Sequence, residues 1–376
     1  MQVLVTGGAG FIGSFVSQGL LSLGYCVILL DNLDPQVHPS GPPSYLPPGA
    51  TLKIGDIRDR DVVQRSLQDA DIVIHCAAAV GVAQSLYRIH HYVDVNVSGT
   101  ALLLEALTER KRPLHKLVIF TSMTAYGEGL YRWPSDGHRL RPNLRTGTDV
   151  EKHGWDPVCP ETGQTLEPIP TSEDCLLLAR NTYGLTKRYQ EELALGLWKF
   201  RGLPVVCLRL FNVYGPRQSL TNPYTGVLAI FLSRLLAGQP PVVYEDSNQS
   251  RDFVSVHDVV NATLLALQRP EANGQVINIG SGIARKIGDC ARLLASFVGR
   301  SDIEPQITGR FREGDIRHCT ADIAKARQLL GYEPRVSWQD GLAEMVAWAR
   351  TAISHDRFEE ADRELREREL IKGRER

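Results

Sequence analysis

The stretch that most constrains this chain is Thr6-Gly7-Gly8-Ala9-Gly10-Phe11-Ile12-Gly13. It follows the apolar run Val3-Leu4-Val5 and opens a segment in which Ile12, Val16 and Leu20 recur at i, i+4 and i+8. That order reads as strand, glycine turn, helix. Gly7 permits the tight turn, Gly10 lets a pyrophosphate approach the backbone, and Gly13 lets the helix lie close on the strand. The free N–H groups of the helix then face the phosphates. A second apolar run, Cys26 to Leu30, ends in Asp31, eighteen residues after Gly13. A carboxylate there hydrogen-bonds the adenosine ribose hydroxyls and repels a 2′-phosphate. A turn with glycines for packing explains the loop but not Asp31, so the pattern predicts a site for NAD rather than NADP.

Further strand-like runs at 51–54, 71–76, 116–120, 204–209 and 276–278 alternate with helical patterns, notably 92–109 and 184–199. Such alternation predicts an α/β chain with a Rossmann-type doubly wound parallel sheet, its ligand at the carboxyl ends of the strands. Asp56 and Ile57 follow the third strand, where they can hold the edge and face of an adenine. Ala77 and Ala78 follow the fourth, with side chains small enough to leave a cofactor room. Pro216, Pro223, Pro240 and Pro241 break the alternation. Residues 1–212 are therefore expected to form the NAD-binding domain. Residues 213–250 and 283–350 should form a smaller C-terminal substrate-binding part, with 251–282 returning to the sheet. The stretch 356–376 carries eight acids and seven bases and reads as a solvated or frayed helix.

Composition removes several classes. A formal charge of −1 gives no basic footprint for nucleic acid. No apolar run reaches the roughly 18–20 residues of a membrane span, and no leader precedes the first strand, so a cytoplasmic chain is expected. The seven cysteines are scattered without a C-x-x-C pair, so neither a disulfide framework nor a metal site is expected.

Tyr183-Gly-Leu-Thr-Lys187 places a tyrosine and a lysine on one helical face. A free tyrosine, with pKa about 10, is a poor base. The lysine cation and a nicotinamide cation would favour the phenolate, so Tyr183 can take a hydroxyl proton as hydride leaves the same carbon. Ser122, at the end of the 116–120 strand, is placed to hold the reacting oxygen.

These residues resemble the extended short-chain dehydrogenase/reductases, specifically the NAD-dependent nucleotide-sugar epimerases. The resemblance covers residue 1 to about 350. It is carried by the glycine loop, Asp31-Asn32, Gly55-Asp56-Ile57, His75 to Ala78, Asn96-Val-Ser-Gly-Thr100, Tyr183/Lys187, Arg209 to Arg217, Arg251-Asp-Phe-Val and Arg312-Glu-Gly-Asp315. It implies Ser122, Tyr183 and Lys187 as the catalytic trio. Phe11, Ile12, Asn32 and Asn96 would join the cofactor site, and Thr124, Asn212 and Arg217 the substrate site. Arg251 and Arg312 would hold the diphosphate as planar forks, and Asp315 the ribose of a nucleotide-diphospho sugar. It also implies a homodimer pairing helices 92–109 and 184–199.

Relatives that remove water carry an Asp-Glu pair where this chain has Met123 and Thr124, which cannot transfer that proton. What remains is reversible oxidation at sugar C4. Segments 31–39 and 218–227 resemble the dTDP-L-rhamnose 4-epimerase group, which makes dTDP-6-deoxy-L-talose. The alternatives are a UDP-hexose or UDP-glucuronate 4-epimerase, an NAD(P)H-dependent reductase, or a non-catalytic NAD sensor, which would have no need of the Tyr/Lys pair. Ser122 and Tyr183 stand 61 residues apart, about twice the spacing the resemblance leads one to expect. The excess, about 128–170, is expected to be either a lid whose Tyr131, Arg132 or Trp133 touches substrate or a surface or dimer-contact excursion.

Overall fold

A computed structural model describes residues 1–312 and 314–373. Seven strands form the central sheet: β1 (Gln2–Thr6), β2 (Cys26–Asp31), β3 (Thr51–Ile54), β4 (Ile72–His75), β5 (Lys116–Ser122), β6 (Val205–Leu210) and β7 (Gln275–Ile279). Their order is β7-β6-β5-β4-β1-β2-β3, and every pairing is parallel. The order reverses between β1 and β4, which opens a crevice at their carboxyl ends.

Alternation along each strand builds two core layers. Val3, Val5, Val27, Leu29, Ile72 and Ile74 face one side, against Val16 and Leu20 of α1 (Phe11–Ser22) and Val259 and Ala262 of the helix Val256–Gln268. Leu4, Leu30, Val73, Leu117 and Ile119 face the other side, against Leu103 and Leu107 of Gly99–Glu109 and Ala194 of α2 (Thr182–Arg201). A further core joins the helices Val227–Leu236, Ile287–Val298 and Trp338–Ala349. Among the described residues, no helix is long and apolar enough to cross a membrane.

Four readings need correction. Of residues 251–282, only the helix and β7 return to the central sheet. The strand Ser250–Ser255 instead pairs with Asn212–Tyr214, Ala284–Lys286 and His318–Cys319. Its Asp252 is the reason: the buried carboxylate accepts N–H bonds from Ser281, Gly282 and Ala321 and gathers those loops around it. Residues 323–332, expected in the smaller part, place Ile323, Ala326, Leu330 and Tyr332 in the first core layer of the sheet.

The segment 128–170 is not a lid. It folds into a three-stranded antiparallel sheet, Arg139–Leu140, Leu130–Arg132 and Glu167–Ile169, over a small core of Tyr131, Cys159 and Leu166 with Trp133 and Leu140. Tyr131 is buried and donates to Glu128, while Arg132 pairs with Glu167 in solvent. No residue of 128–170 lines the main cavity. Buried charges hold the segment to its neighbours: Arg317 donates to Asp156 at 2.7 Å and Glu245 at 2.7 Å, and Arg145 reaches the same Glu245 at 2.9 Å.

The charged tail is not frayed either. It forms α3 (Phe358–Glu367), which buries Ala361, Asp362 and Leu365. Ile371–Lys372 then pairs antiparallel with Phe311–Arg312. Residues 374–376 of that expectation, and Glu313 of the Arg312-to-Asp315 motif, lie outside the described residues.

Candidate active site

One cavity of about 610 Å³ runs from the glycine loop, past the carboxyl end of β5, to the strand that carries Arg312. Its cofactor end is built by close backbone approaches. Gly7 has φ +66°, and a Cβ on it would lie 2.7 Å from Ala77 N. A Cβ on Gly13 would lie 2.2 Å from Gly7 O, so only glycine brings α1 this close to the turn. Gly7, Gly10, Phe11, Ile12, Gly13, Asp31, Asn32, Asp56, Ile57, Ala77 and Ala78 all line the cavity. Asp31 accepts the N–H of Ala9 at 3.0 Å and of Leu33 at 2.9 Å, which orients its carboxylate at the end of β2. Asn32 donates to Asp56. Hydrogen bonds from Arg58 lead in holding Asp56 ionised, down to about 2. A cradle that tolerates no Cβ, beside a fixed carboxylate, fits the pyrophosphate and ribose of NAD.

The reacting end gathers around the last turn of β5. The Ser122 hydroxyl accepts from Thr124 N at 3.3 Å and Thr124 Oγ1 at 3.0 Å. Asn181 caps α2 by accepting from Gly184 N at 2.8 Å. A Cβ on Gly184 would meet Thr124 O at 2.6 Å, so this glycine lets the start of α2 press Tyr183 against Ser122. Tyr183 N donates to Ser85 at 3.0 Å. Lys187 sits one turn on. Its Nζ donates to Phe120 O at 3.0 Å and lies 6.0 Å from the Tyr183 ring centroid.

The protein alone does not give Tyr183 the lowered pKa expected from its sequence. Burial lifts it to about 12, and a hydrogen bond with Ser122 offsets that only in part. Burial also lowers Lys187 to about 8. Desolvation wins because both groups are enclosed and the lysine is turned toward a carbonyl.

Beyond the trio, Asn212, Arg251, Arg312 and Asp315 line the cavity, as does Thr124. The Asn212 Oδ1 is buried without a partner, an acceptor free for a ligand hydroxyl. Arg251 is held by Ser250 O at 2.8 Å. Arg312 and Asp315 face one another at 3.0 Å.

The family model described as "NAD dependent epimerase/dehydratase family" matches residues 3–148 and 159–280. The chain belongs to this family. A dTDP-L-rhamnose 4-epimerase of Burkholderia thailandensis is 37% identical over 356 residues, 92% of this chain and 94% of the relative. A putative UDP-glucose 4-epimerase of Methanocaldococcus jannaschii is 32% identical, covering 93% of this chain and 98% of the relative. Among solved structures, the UDP-glucuronic acid 4-epimerase of Bacillus cereus, in complex with UDP-glucuronic acid and NAD, superposes with TM-score 0.76 at 30% identity. It covers 93% of this chain and 99% of its own. The chain is thus an enzyme of the NAD-dependent nucleotide-sugar epimerase kind, an isomerase.

Within that family frame, two residues expected in the site lie outside the cavity. Asn96 sits in a π-helical turn, Asp94–Ser98, where the wider winding turns it toward a neighbouring loop. It accepts from Ala79 N at 2.7 Å and donates to Ala79 O at 3.0 Å, so it shapes the cofactor wall from behind. Arg217 has φ +66°. The chain turns back there and lays the guanidinium 4.0 Å from the Phe15 ring, with Gln18 as partner at 2.9 Å. Other lining residues were not named as site residues from the sequence: Gln84, Gln218 and Tyr224, the last two inside the segment 218–227 noted above, Tyr244 and the inner face of α3. The spacing of Phe358, Ala361 and Leu365 was the available signal for the last of these.

Proposed function

We propose that the chain is a cytoplasmic nucleotide-sugar 4-epimerase that interconverts dTDP-L-rhamnose and dTDP-6-deoxy-L-talose. The observation that carries the reading is the meeting, in one cavity, of the glycine cradle, the Ser122–Tyr183–Lys187 trio and the unpartnered Asn212 Oδ1. Bound NAD would supply a hydride acceptor and donor at sugar C4. Ser122 orients the C4 oxygen, and Tyr183 takes its proton and later returns one. Lys187 stabilises the phenolate between those events. Met123 and Thr124 offer no acid or base for loss of water, so the 4-keto sugar has only reduction ahead of it, on either face. The same hydride is used in both directions, so the cofactor is not consumed.

Two observations support the choice of sugar. The relative 37% identical to this chain is named for dTDP-L-rhamnose. The lining residues from 78–84 and 210–231 are all neutral, which suits a 6-deoxy sugar or a hexose better than a uronate carboxylate. A UDP-hexose is the second reading, favoured by the relative named as a UDP-glucose 4-epimerase. The apolar residues Leu185, Tyr189 and Leu193 stand exposed at i, i+4 and i+8 along α2, a face suited to a homodimer, which light scattering would test.

Proton NMR of the purified protein with dTDP-L-rhamnose, UDP-glucose or UDP-glucuronate, and no added cofactor, tests the reaction. Inversion at C4 of dTDP-L-rhamnose, lost in Tyr183→Phe, is expected. Turnover only when NAD(P)H is supplied would make the enzyme a reductase and refute the reading.

A further inference from the structure

The C-terminal segment 356–373 lies outside the residues the family model matches. Its sequence is that of a solvated helix, yet it is fastened from several directions. Arg234 donates to Glu359 at 3.0 Å and stacks 4.6 Å from the Phe358 ring. Tyr244 donates to Asp362 at 2.7 Å, and Arg310 donates to the same buried carboxylate at 3.1 Å. Tyr224 donates to Glu364 at 2.6 Å. Arg368 stacks 4.3 Å from the Tyr87 ring. Beyond α3, Ile371 pairs across from Arg312. These partners come from four separate stretches of chain (87, 224–234, 244 and 310–312), and the helix lies along the arm of the cavity that Tyr224, Tyr244 and Arg312 line.

The side of α3 turned inward is apolar. Phe358, Ala361 and Leu365 line the cavity, and Ala361 and Leu365 are almost wholly enclosed. The one carboxylate among them, Asp362, is occupied by Tyr244 and Arg310. Phe231 and Val243 line the same cavity. Apolar lining from α3 and from Phe231 and Val243, in the same cavity as Arg312, matches a planar base attached to a diphosphate: apolar side chains desolvate the ring and the guanidinium meets the phosphates.

We propose that α3 roofs the substrate arm and that Leu365, with Phe358 and Ala361, is a specificity-determining surface for the nucleoside of the substrate. This rests on the nucleotide-sugar reading above. Asp362 is a positioning residue that holds the roof onto Tyr244 and Arg310. The strand 371–372 holds the backbone of Arg312.

The test uses the full chain, Leu365→Ala, and a chain ending at His355. Calorimetric titration with dTDP and with UDP is compared with KM and kcat for C4 inversion, with bound NAD and thermal midpoint as folding controls. Truncating a buried leucine should weaken binding of the preferred nucleotide roughly tenfold, change the dTDP-to-UDP preference, and raise KM more than it lowers kcat. The shortened chain should bind more weakly still and keep its NAD. If the full chain binds dTDP or UDP and both variants bind them equally well, the proposal is wrong while the nucleotide-sugar reading stands. If the full chain binds neither nucleotide, that reading falls and takes the proposal with it. Should the shortened chain not fold, Leu365→Ala decides alone.

Discussion

Replacing Lys187 by methionine tests how the phenolate of Tyr183 is made. The lysine nitrogen lies 6.0 Å from the tyrosine ring. At an effective dielectric constant of about 20, a unit charge at that distance is worth about 3 kcal/mol, or about 2 pKa units. Burial already lifts Tyr183 to about 12 in the protein alone, so the site cannot spare that contribution. At pH 7, below the value of about 8 to which burial lowers Lys187, the lysine is a cation. Lys187→Met should therefore lower kcat about 100-fold at pH 7. The deficit should narrow as pH rises past about 8, where the wild-type lysine loses its own proton and with it the advantage over methionine. The assay is C4 inversion by NMR from pH 6 to 10 under saturating NAD, with the bound cofactor of both proteins measured after denaturation. A variant within threefold of wild type at pH 7, or one slowed equally at every pH, would refute the electrostatic role.

Three further outcomes follow from buried contacts. Glu191→Ala should destabilise the fold by about 3–5 kcal/mol in urea titration, because it strands the buried Arg209 guanidinium that Glu191 grips at 2.5 Å; a loss below about 1 kcal/mol would contradict that pairing. His75 is enclosed between Thr6 and Thr100, and burial lowers it to about 3. The unfolded chain therefore takes up this proton first, and stability falls as pH drops below about 6.5, by up to about 1.4 kcal/mol per unit. His75→Asn should flatten that slope between pH 7 and 5; an unaltered slope would assign the acid sensitivity to other groups. Gly13→Ala should leave purified protein with less than a tenth of the wild-type NAD, since the new methyl would meet Gly7 O at 2.2 Å; full cofactor content by chromatography would show that the loop can yield.

The sheet was legible because its strands are short unbroken apolar runs set between helical patterns, as expected of strands buried on both faces, with Val3 and Val5 in one core layer and Leu4 in the other. That Tyr183 and Lys187 share one face of α2 was legible because they are separated by one helical turn, a local relation. The placement of Arg217 and Asn96 outside the cavity was not legible because each depends on backbone detail, a positive φ and a π-helical turn, that no spacing rule encodes. The roof was missed for another reason. Its net composition is that of a solvated helix, and only the partners on distant segments, Arg234, Tyr244 and Arg310, turn those charges into attachments. The insertion was legible as an excess of chain but not as a self-contained sheet, since its core is only a few side chains.

That insertion has a consequence for how freely this chain can be altered. The penalty for bringing two points of a chain together grows only logarithmically with the length between them, about 0.6 kcal/mol per doubling. The 61-residue path from Ser122 to Tyr183 therefore hinders their meeting little more than a path half as long. Because the excursion carries its own small core and turns at the exposed tip Ser135–Gly137, that hairpin end is a place where a foreign domain can be spliced in. The graft would be carried as cargo, away from the cavity in which the two side chains meet.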